Sequence, residues 1–209
     1  MDEVLSNQTR KILKEMNLTF RKARISEIDL IMQLYKERAQ WFKENNIQQW
    51  TKYMEHHPKK EFEEIIKKEE YYILENKKEI ICGFQITTDS SFWNDTKTPS
   101  YYINKIVTKV GYKNFGHIIF KICKDLANKN KKEYLRIECL TTNNRLNNIY
   151  EKHGFKLIRT GEDYYKYSLR ECKLWNEWYI SLEFFTNHII KNVGEGEDRY
   201  LNSFRYLSF

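Results

Sequence analysis

The residue types that could carry chemistry gather in the second half of this sequence. In "NNRLNNIYEKHGF", residues 143–155, Leu146, Ile149, Tyr150 and His153 recur at i, i+3, i+4 and i+7, the spacing of one helix face. Asn143 suits the N-cap and Gly154 a left-handed stop, after which Phe155 begins a strand. Tyr150 ends that apolar stripe, where a phenol either packs as a core ring or keeps a hydroxyl in a dry cleft, able to give a proton. Upstream, "KIVTKVGYKNFGHIIFK" runs from a strand into a helix, and a helix N-terminus offers unpaired N–H groups to an anion. Asn114 and Gly116 tolerate left-handed backbone, which lets that loop curl, and Lys109 and Lys113 add positive charge. The same loop also suits an ordinary connection. Neither GxxxxGK[ST] nor GxGxxG occurs, which excludes the two commonest nucleotide fingerprints.

These residues need elements to position them. Residues 3–16 have loosely helical spacing, "LTFRKAR" at 18–24 reads as a first strand, and "EIDLIMQLYKERAQWFKEN" is a long amphipathic helix after Ser26. A second helix is expected from Pro58 to Glu69. "YYILEN" and "EIICGFQITTD", separated by a Lys-Lys turn, read as a hairpin, and residues 90–99 as a loop. "SYYINKIVTK" is a strand by its β-branched and aromatic content, followed by a helix with the stripe Ile118, Ile119, Ile122, Cys123 and Leu126. "EYLRIECLTT", the Tyr150 helix, "FKLIRTG" and "YYKYSLRE" complete the order. Strands and helices therefore alternate in one α/β layered fold, with two strand-helix-strand units near the end.

Composition limits the function classes. A chain of 209 residues, 41% apolar with 15 Tyr and 12 Phe, has ample material for one core, and its 7 Gly and 2 Pro form no linker. No apolar run spans a membrane, and the opening "MDEVLSNQTRK" lacks signal-peptide order, so a soluble cytoplasmic protein is expected. Cys82, Cys123, Cys139 and Cys172 form no CxxC pair, which suggests reduced, buried thiols and neither zinc nor disulfides. Glu171–Phe209 holds 4 Lys/Arg against 6 Asp/Glu, a net −2, leaving +9 of the total +7 on the first 170 residues. Such an excess suits an anionic ligand or a Lys-rich solvated surface.

Gly116, Cys139, Asn144, Tyr150 and the pair Gly154-Phe155 stand in the arrangement G-x22-C-x4-N-x5-Y-E-x2-G-F, which resembles the GCN5-related N-acetyltransferase (GNAT) family over residues 18–171. The segment "AQWFKENNIQQW" resembles one branch of it. The family loop is usually Gln/Arg-x-x-Gly-x-Gly/Ala; the matching positions here are Gly111, Asn114 and Gly116, so only the last glycine is kept.

The resemblance implies a mixed, mostly antiparallel central sheet flanked by helices, with residues 1–17 an N-terminal helical extension. It implies acetyl-CoA as cofactor, CoA as product and no metal. The loop Lys113, Asn114, Phe115, Gly116 and His117 would hold the pyrophosphate, Asn144 would meet the pantetheine, and the backbone of Ile106, Val107 and Thr108 would pair with it like an added strand. Tyr150 would face the sulfur as general acid. The family often places a Glu on the strand before the loop; "SYYINKIVT" has none, so Glu138, Asp95 or a water chain is left as the base. Trp41, Trp50, Phe92 and Trp93 are candidates for the acceptor wall. The expected reaction is direct attack of a small-molecule primary amine on the thioester. The alternatives are a protein or aminoacyl-tRNA amine, a covalent route through Cys139 or Cys82, or a non-catalytic acyl-CoA-binding protein; membrane and nucleic-acid partners are not expected. Residues 172–209 hold a further apolar helical face, Leu174, Trp178, Leu182, Phe185 and Ile189, expected to pack on the core or on a second copy as a homodimer.

Overall fold

A computed structural model describes residues 4–47, 49–50, 58–77, 79–95 and 97–174. Of residues 172–209, expected to carry a further helical face, only 172–174 are described: Leu174 is buried in the core, and the rest lies outside the described residues. Among the described residues five helices and seven strands follow the expected order: α1 Asn7–Glu15, β1 Thr19–Lys22, α2 Ile28–Glu44, α3 Lys59–Lys67, β2 Tyr71–Glu75, β3 Ile80–Thr87, β4 Ser100–Thr108, α4 Gly116–Lys129, β5 Tyr134–Leu140, α5 Asn144–Lys152, β6 Lys156–Glu162 and β7 Lys166–Lys173. No described helix is long and apolar enough to cross a membrane.

Local sequence accounts for most boundaries. Ser6 caps α1 by accepting from the Thr9 N–H, and Asp125 of α4 accepts from Ser6 Oγ at 2.8 Å and Thr9 Oγ1 at 2.5 Å, which docks the helix. α2 starts one residue later than its periodicity suggested, because Ile25–Glu27 form a 3-10 turn. Its buried stripe, Ile28, Ile31, Leu34 and Tyr35, faces the sheet. Asn143 caps α5 through the Leu146 N–H, and Gly154, at φ 90°, ends it in the left-handed region.

All seven strands form one sheet in the order β1-β2-β3-β4-β5-β7-β6, antiparallel except for β4 and β5. Both expected strand-helix-strand units are present, β4-α4-β5 and β5-α5-β6, and the sheet adds where the last strand goes. After α5 the chain does not pair beside β5; β7 takes that place and β6 becomes the far edge. Phe155 is completely buried between Phe120 and Tyr150, so it anchors the turn beneath the sheet instead of re-entering it.

Side chains alternate along a strand, so each sheet face can be assigned. One face carries Leu74, Phe84, Ile103, Leu135, Ile137 and Cys139 and is covered by α1, α4 and α5. The other carries Tyr71, Ile73 and Val107 under α2 and α3. Farther along that second face, Tyr102 and Leu169 lie under Trp93 of the 88–99 loop. Each fully buried aliphatic or aromatic side chain of this kind contributes about 1.5–3 kcal/mol.

The feature that matters most for function is where β4 and β5 part. Their parallel pairing runs from Ser100↔Tyr134 to Ile103↔Ile137 and then stops, although β4 continues to Thr108 and β5 to Leu140. A bulge forces the separation. Lys105 adopts φ 51°, and the β3–β4 register shifts from Gln85↔Asn104 to Gly83↔Val107. Tyr35 holds the bulge by donating to the Lys105 carbonyl, while Lys105 Nζ pairs with Glu61 at 2.7 Å. Beyond it, β4 stays paired with β3 and β5 with β7, which leaves a V-shaped gap between them.

Candidate active site at the β4–β5 gap

The loop that the sequence offers to an anion forms at the open end of β4. Gly111 at φ 93° and Asn114 at φ 64° both take left-handed backbone, as their residue types allow. The N–H groups of Asn114, Phe115, Gly116, His117 and Ile118 meet no acceptor among the described residues, and no acidic residue sits in the first turn of α4. That arrangement of unpaired N–H groups at a helix N-terminus suits an anion. Lys113, Asn114 and His117 are exposed there and Phe115 is buried as the cap. A side chain at Gly116 would meet Phe120 at 3.5 Å and Ile149 at 4.0 Å, both at ordinary contact distance, so the described residues leave room there. Lys109 departs from expectation. Its ammonium pairs with Glu79, which also accepts from the Tyr112 hydroxyl at 2.6 Å, so Lys113 is the cation that the loop offers.

α2 fixes the strand behind the loop. Arg38 Nε donates to the Thr108 carbonyl at 2.9 Å and Nη2 to the Lys109 carbonyl at 3.0 Å, and its guanidinium lies 5.1 Å from the Trp41 ring. Trp50 packs 5.1 Å from Tyr35 and 5.4 Å from Phe42. Ile106 and Thr108 are half-buried and Val107 is buried, with their strand edge toward β5 unpaired.

Tyr150 comes from the opposite face. Its ring is 6% exposed, edge-on to Phe120 at 5.7 Å, and its hydroxyl has no hydrogen-bond partner among the described residues. Burial pushes the phenol well above its ordinary pKa, so it keeps its proton at any physiological pH. Asn144 is exposed at the first position of α5.

Glu138 and Asp95 have opposite environments. Glu138 follows Ile137 on β5 and so faces away from α5; it is half-buried, accepts from the Tyr165 hydroxyl, and burial raises its pKa above the ordinary glutamate value. Asp95 is held well below the usual carboxylate range, chiefly by Arg136 at 2.8 Å and then by Thr98. Of these two carboxylates only Glu138 suits a base. Cys82, bonded to Thr108, is pushed up to about 12 by burial, and Cys139 is raised for the same reason, so both thiols stay protonated.

The aromatic candidates divide into two groups: Trp41 and Trp50 pack against α2 side chains, and Phe92 packs with Tyr165 and Tyr167 on the β7 side. Trp93 is 8% exposed, stacked 4.5 Å from the Arg136 guanidinium, and supports the loop from below. Bridging the two sides, Asn143 Nδ2 donates to Gln49 Oε1 at 2.7 Å, beside a cavity of about 300 Å³ lined by Asn46, Ile47, Thr142, Asn143 and Asn144. Asn46, Ile47, Gln49, Thr142, Tyr165 and Tyr167 were not singled out from sequence. The run "NNIQQW" was the available signal for the first three, and the alternate tyrosines of "YYKY" for the last two.

No protein-family model matches the sequence, and no curated protein does. Solved structures match in fold. A GNAT-family acetyltransferase from Listeria monocytogenes superposes with a TM-score of 0.64 at 20% identity, over 75% of this chain and 95% of its own. PaiA N-acetyltransferase from Thermoplasma acidophilum, in complex with coenzyme A, gives 0.58 at 15% identity, over 75% and 98%. YncA, a putative acetyltransferase from Salmonella typhimurium with acetyl-CoA, gives 0.54 at 9% identity, over 76% and 95%. With its parted β4 and β5, its unpaired N–H groups at α4 and Tyr150 beneath the gap, the chain has the fold of the GNAT acetyltransferases.

Proposed function

We propose that the protein is an N-acetyltransferase that moves an acetyl group from acetyl-CoA to the primary amine of a small molecule by direct attack. The observation that carries this reading is the gap between β4 and β5, which has a proton donor on one sheet face, Tyr150, and a proton acceptor on the other, Glu138.

Bound acetyl-CoA supplies an acetyl thioester already activated toward amines. The chain's own groups do the rest. The N–H nest from Asn114 to Ile118 and the Lys113 ammonium suit a pyrophosphate, and the exposed Asn144 amide and the free edge of β4 suit an amide-bearing arm. An N–H on that edge can polarise a carbonyl oxygen. An amine reaches the site as ammonium, and Glu138, directly or through water, takes the proton that blocks its lone pair. Its raised pKa brings it closer to a useful base than an ordinary carboxylate. Tyr150 keeps its proton for a departing thiolate. High thiol pKa values at Cys82 and Cys139 favour direct attack over acyl transfer through cysteine.

Tyr150→Phe tests this. The substitution keeps the buried ring and removes the proton donor, so thiol release in the presence of amines should fall about 10²–10⁴-fold while calorimetry gives an unchanged Kd for CoA. Unchanged turnover would remove Tyr150 from the mechanism, and failure of the parent protein to bind CoA would remove the activity.

A further inference from the structure

On the acceptor side of the gap, three aromatic rings meet one carboxylate. Phe92 lies 5.2 Å from Tyr167 at 69° and 6.4 Å from Tyr165 at 48°, and Tyr165 lies 6.3 Å from Tyr167 at 75°. Each ring is fixed. Arg159 Nη2 donates to the Phe92 carbonyl at 2.7 Å, which holds the 88–99 loop against β6. Tyr167 lies flat across β6 over Gly161, where a Cβ would come 2.4 Å from the ring, so glycine is the residue that lets it lie there. The Tyr165 hydroxyl donates to Glu138. Yet the group is not sealed: Tyr165 is 39% exposed, and Phe92 and Tyr167 are half-buried.

Resting on the acetyl-transfer reading, we propose that Phe92, Tyr165 and Tyr167 around Glu138 form the acceptor-recognition wall, fitted to a primary ammonium on an aromatic body that carries no carboxylate: an arylalkylamine. The carboxylate attracts the ammonium, ring faces favour a cation that has shed part of its water, and an aryl body packs edge-to-face on Phe92 and Tyr165. The cavity between the end of α2 and the β5–α5 loop is lined, among the described residues, by the uncharged Asn46, Ile47, Thr142, Asn143 and Asn144, which offer hydrogen bonds but no countercharge of their own. Among the described residues, the Arg136 guanidinium is engaged by Asp95 and Glu171, and that of Arg159 by the Phe92 carbonyl. A substrate carboxylate would face Glu138 across the aromatic wall, which is unfavourable for like charges.

The test is binding and turnover of 2-phenylethylamine, L-phenylalanine and spermidine by the full chain with CoA or acetyl-CoA. Calorimetry should show 2-phenylethylamine binding at least about 10-fold more tightly than L-phenylalanine, which differs by its carboxylate, and than spermidine, which lacks the ring. Phe92→Ala should weaken 2-phenylethylamine at least about 5-fold and leave CoA affinity unchanged, whereas Phe92→Tyr, which keeps the ring, should restore most of the parent's affinity. Equal or tighter binding of L-phenylalanine or spermidine, or no effect of Phe92→Ala in a folded protein, overturns the inference. Thiol release with spermidine or an amino acid but not with 2-phenylethylamine overturns it while leaving acetyl transfer standing. Phe92-dependent binding of 2-phenylethylamine without CoA binding or thiol release supports the recognition wall and overturns acetyl transfer.

Discussion

Glu138 illustrates how a single hydrogen bond can be used to assign a base. Burial raises its pKa and the Tyr165 hydroxyl, by donating to the carboxylate, opposes that rise. The base must be ionised to accept a proton, so kcat/KM should fall as pH drops through an apparent value above the ordinary glutamate range. Tyr165→Phe removes a bond made only to the charged form, so the acidic limb should move to higher pH, and Glu138→Gln should abolish it. A limb that stays in place in Tyr165→Phe, read from kcat/KM across pH, would assign the base elsewhere. In sequence Glu138 was one candidate of three, because no strand acid preceded the loop. The distinction from Asp95 lay in Arg136, distant in sequence from Asp95 and adjacent only in the fold.

At the scale of elements, α5 is the part that must be rigid, since it carries Asn144 and Tyr150. Asn147 fixes it. Its Oδ1 accepts from Ser168 Oγ at 2.9 Å, Arg170 Nε at 2.9 Å and Cys139 Sγ at 3.3 Å, and its Nδ2 donates to the Leu140 and Asn143 carbonyls, both at 2.9 Å. Asn147 and Arg170 are each 8% exposed, so Asn147→Leu would strip partners from a buried guanidinium and two carbonyls. A loss of about 1–3 kcal/mol follows, a Tm lower by roughly 2–10 °C in a domain of this size, read by calorimetry. An unchanged Tm would show that the network is dispensable. Helices and strands were legible from periodicity, and Tyr150 from its motif, because both are local. Strand order was less so: nothing in "FKLIRTG" says that β7 will slip between it and β5. The gap itself rests on a bulge at Lys105, a lysine at φ 51°, a position where glycine would have given a signal and lysine gives none. The wall of Phe92, Tyr165 and Tyr167 needs the β5–β7 register, Leu140↔Tyr167, before its members can be seen to share a face.

For the molecule as a whole, several basic side chains of the first 170 residues are tied to carboxylates, pairings that leave the net charge of +9 unchanged. Arg21 is bound by Glu27 and Glu75, Lys22 by Glu69, Lys59 by Asp29, Lys105 by Glu61, Lys109 by Glu79 and Arg136 by Asp95 and Glu171. Lys113, exposed beside the α4 nest, has no ion-pair partner among the described residues. At this loop two components with different salt responses coincide. A solvent-facing ammonium is screened as the Debye length falls from about 8 Å at 0.15 M salt to about 3 Å at 1 M. N–H groups that touch the anion directly are screened much less. CoA should accordingly bind several-fold more weakly at 1 M salt than at 0.15 M, and Lys113→Ala should bind more weakly at low salt while losing most of that salt dependence. Calorimetry at the two ionic strengths decides it: a Lys113→Ala slope equal to that of the parent would mean that the field comes from the surface at large, and that the charge count in the sequence, not the loop, governs affinity.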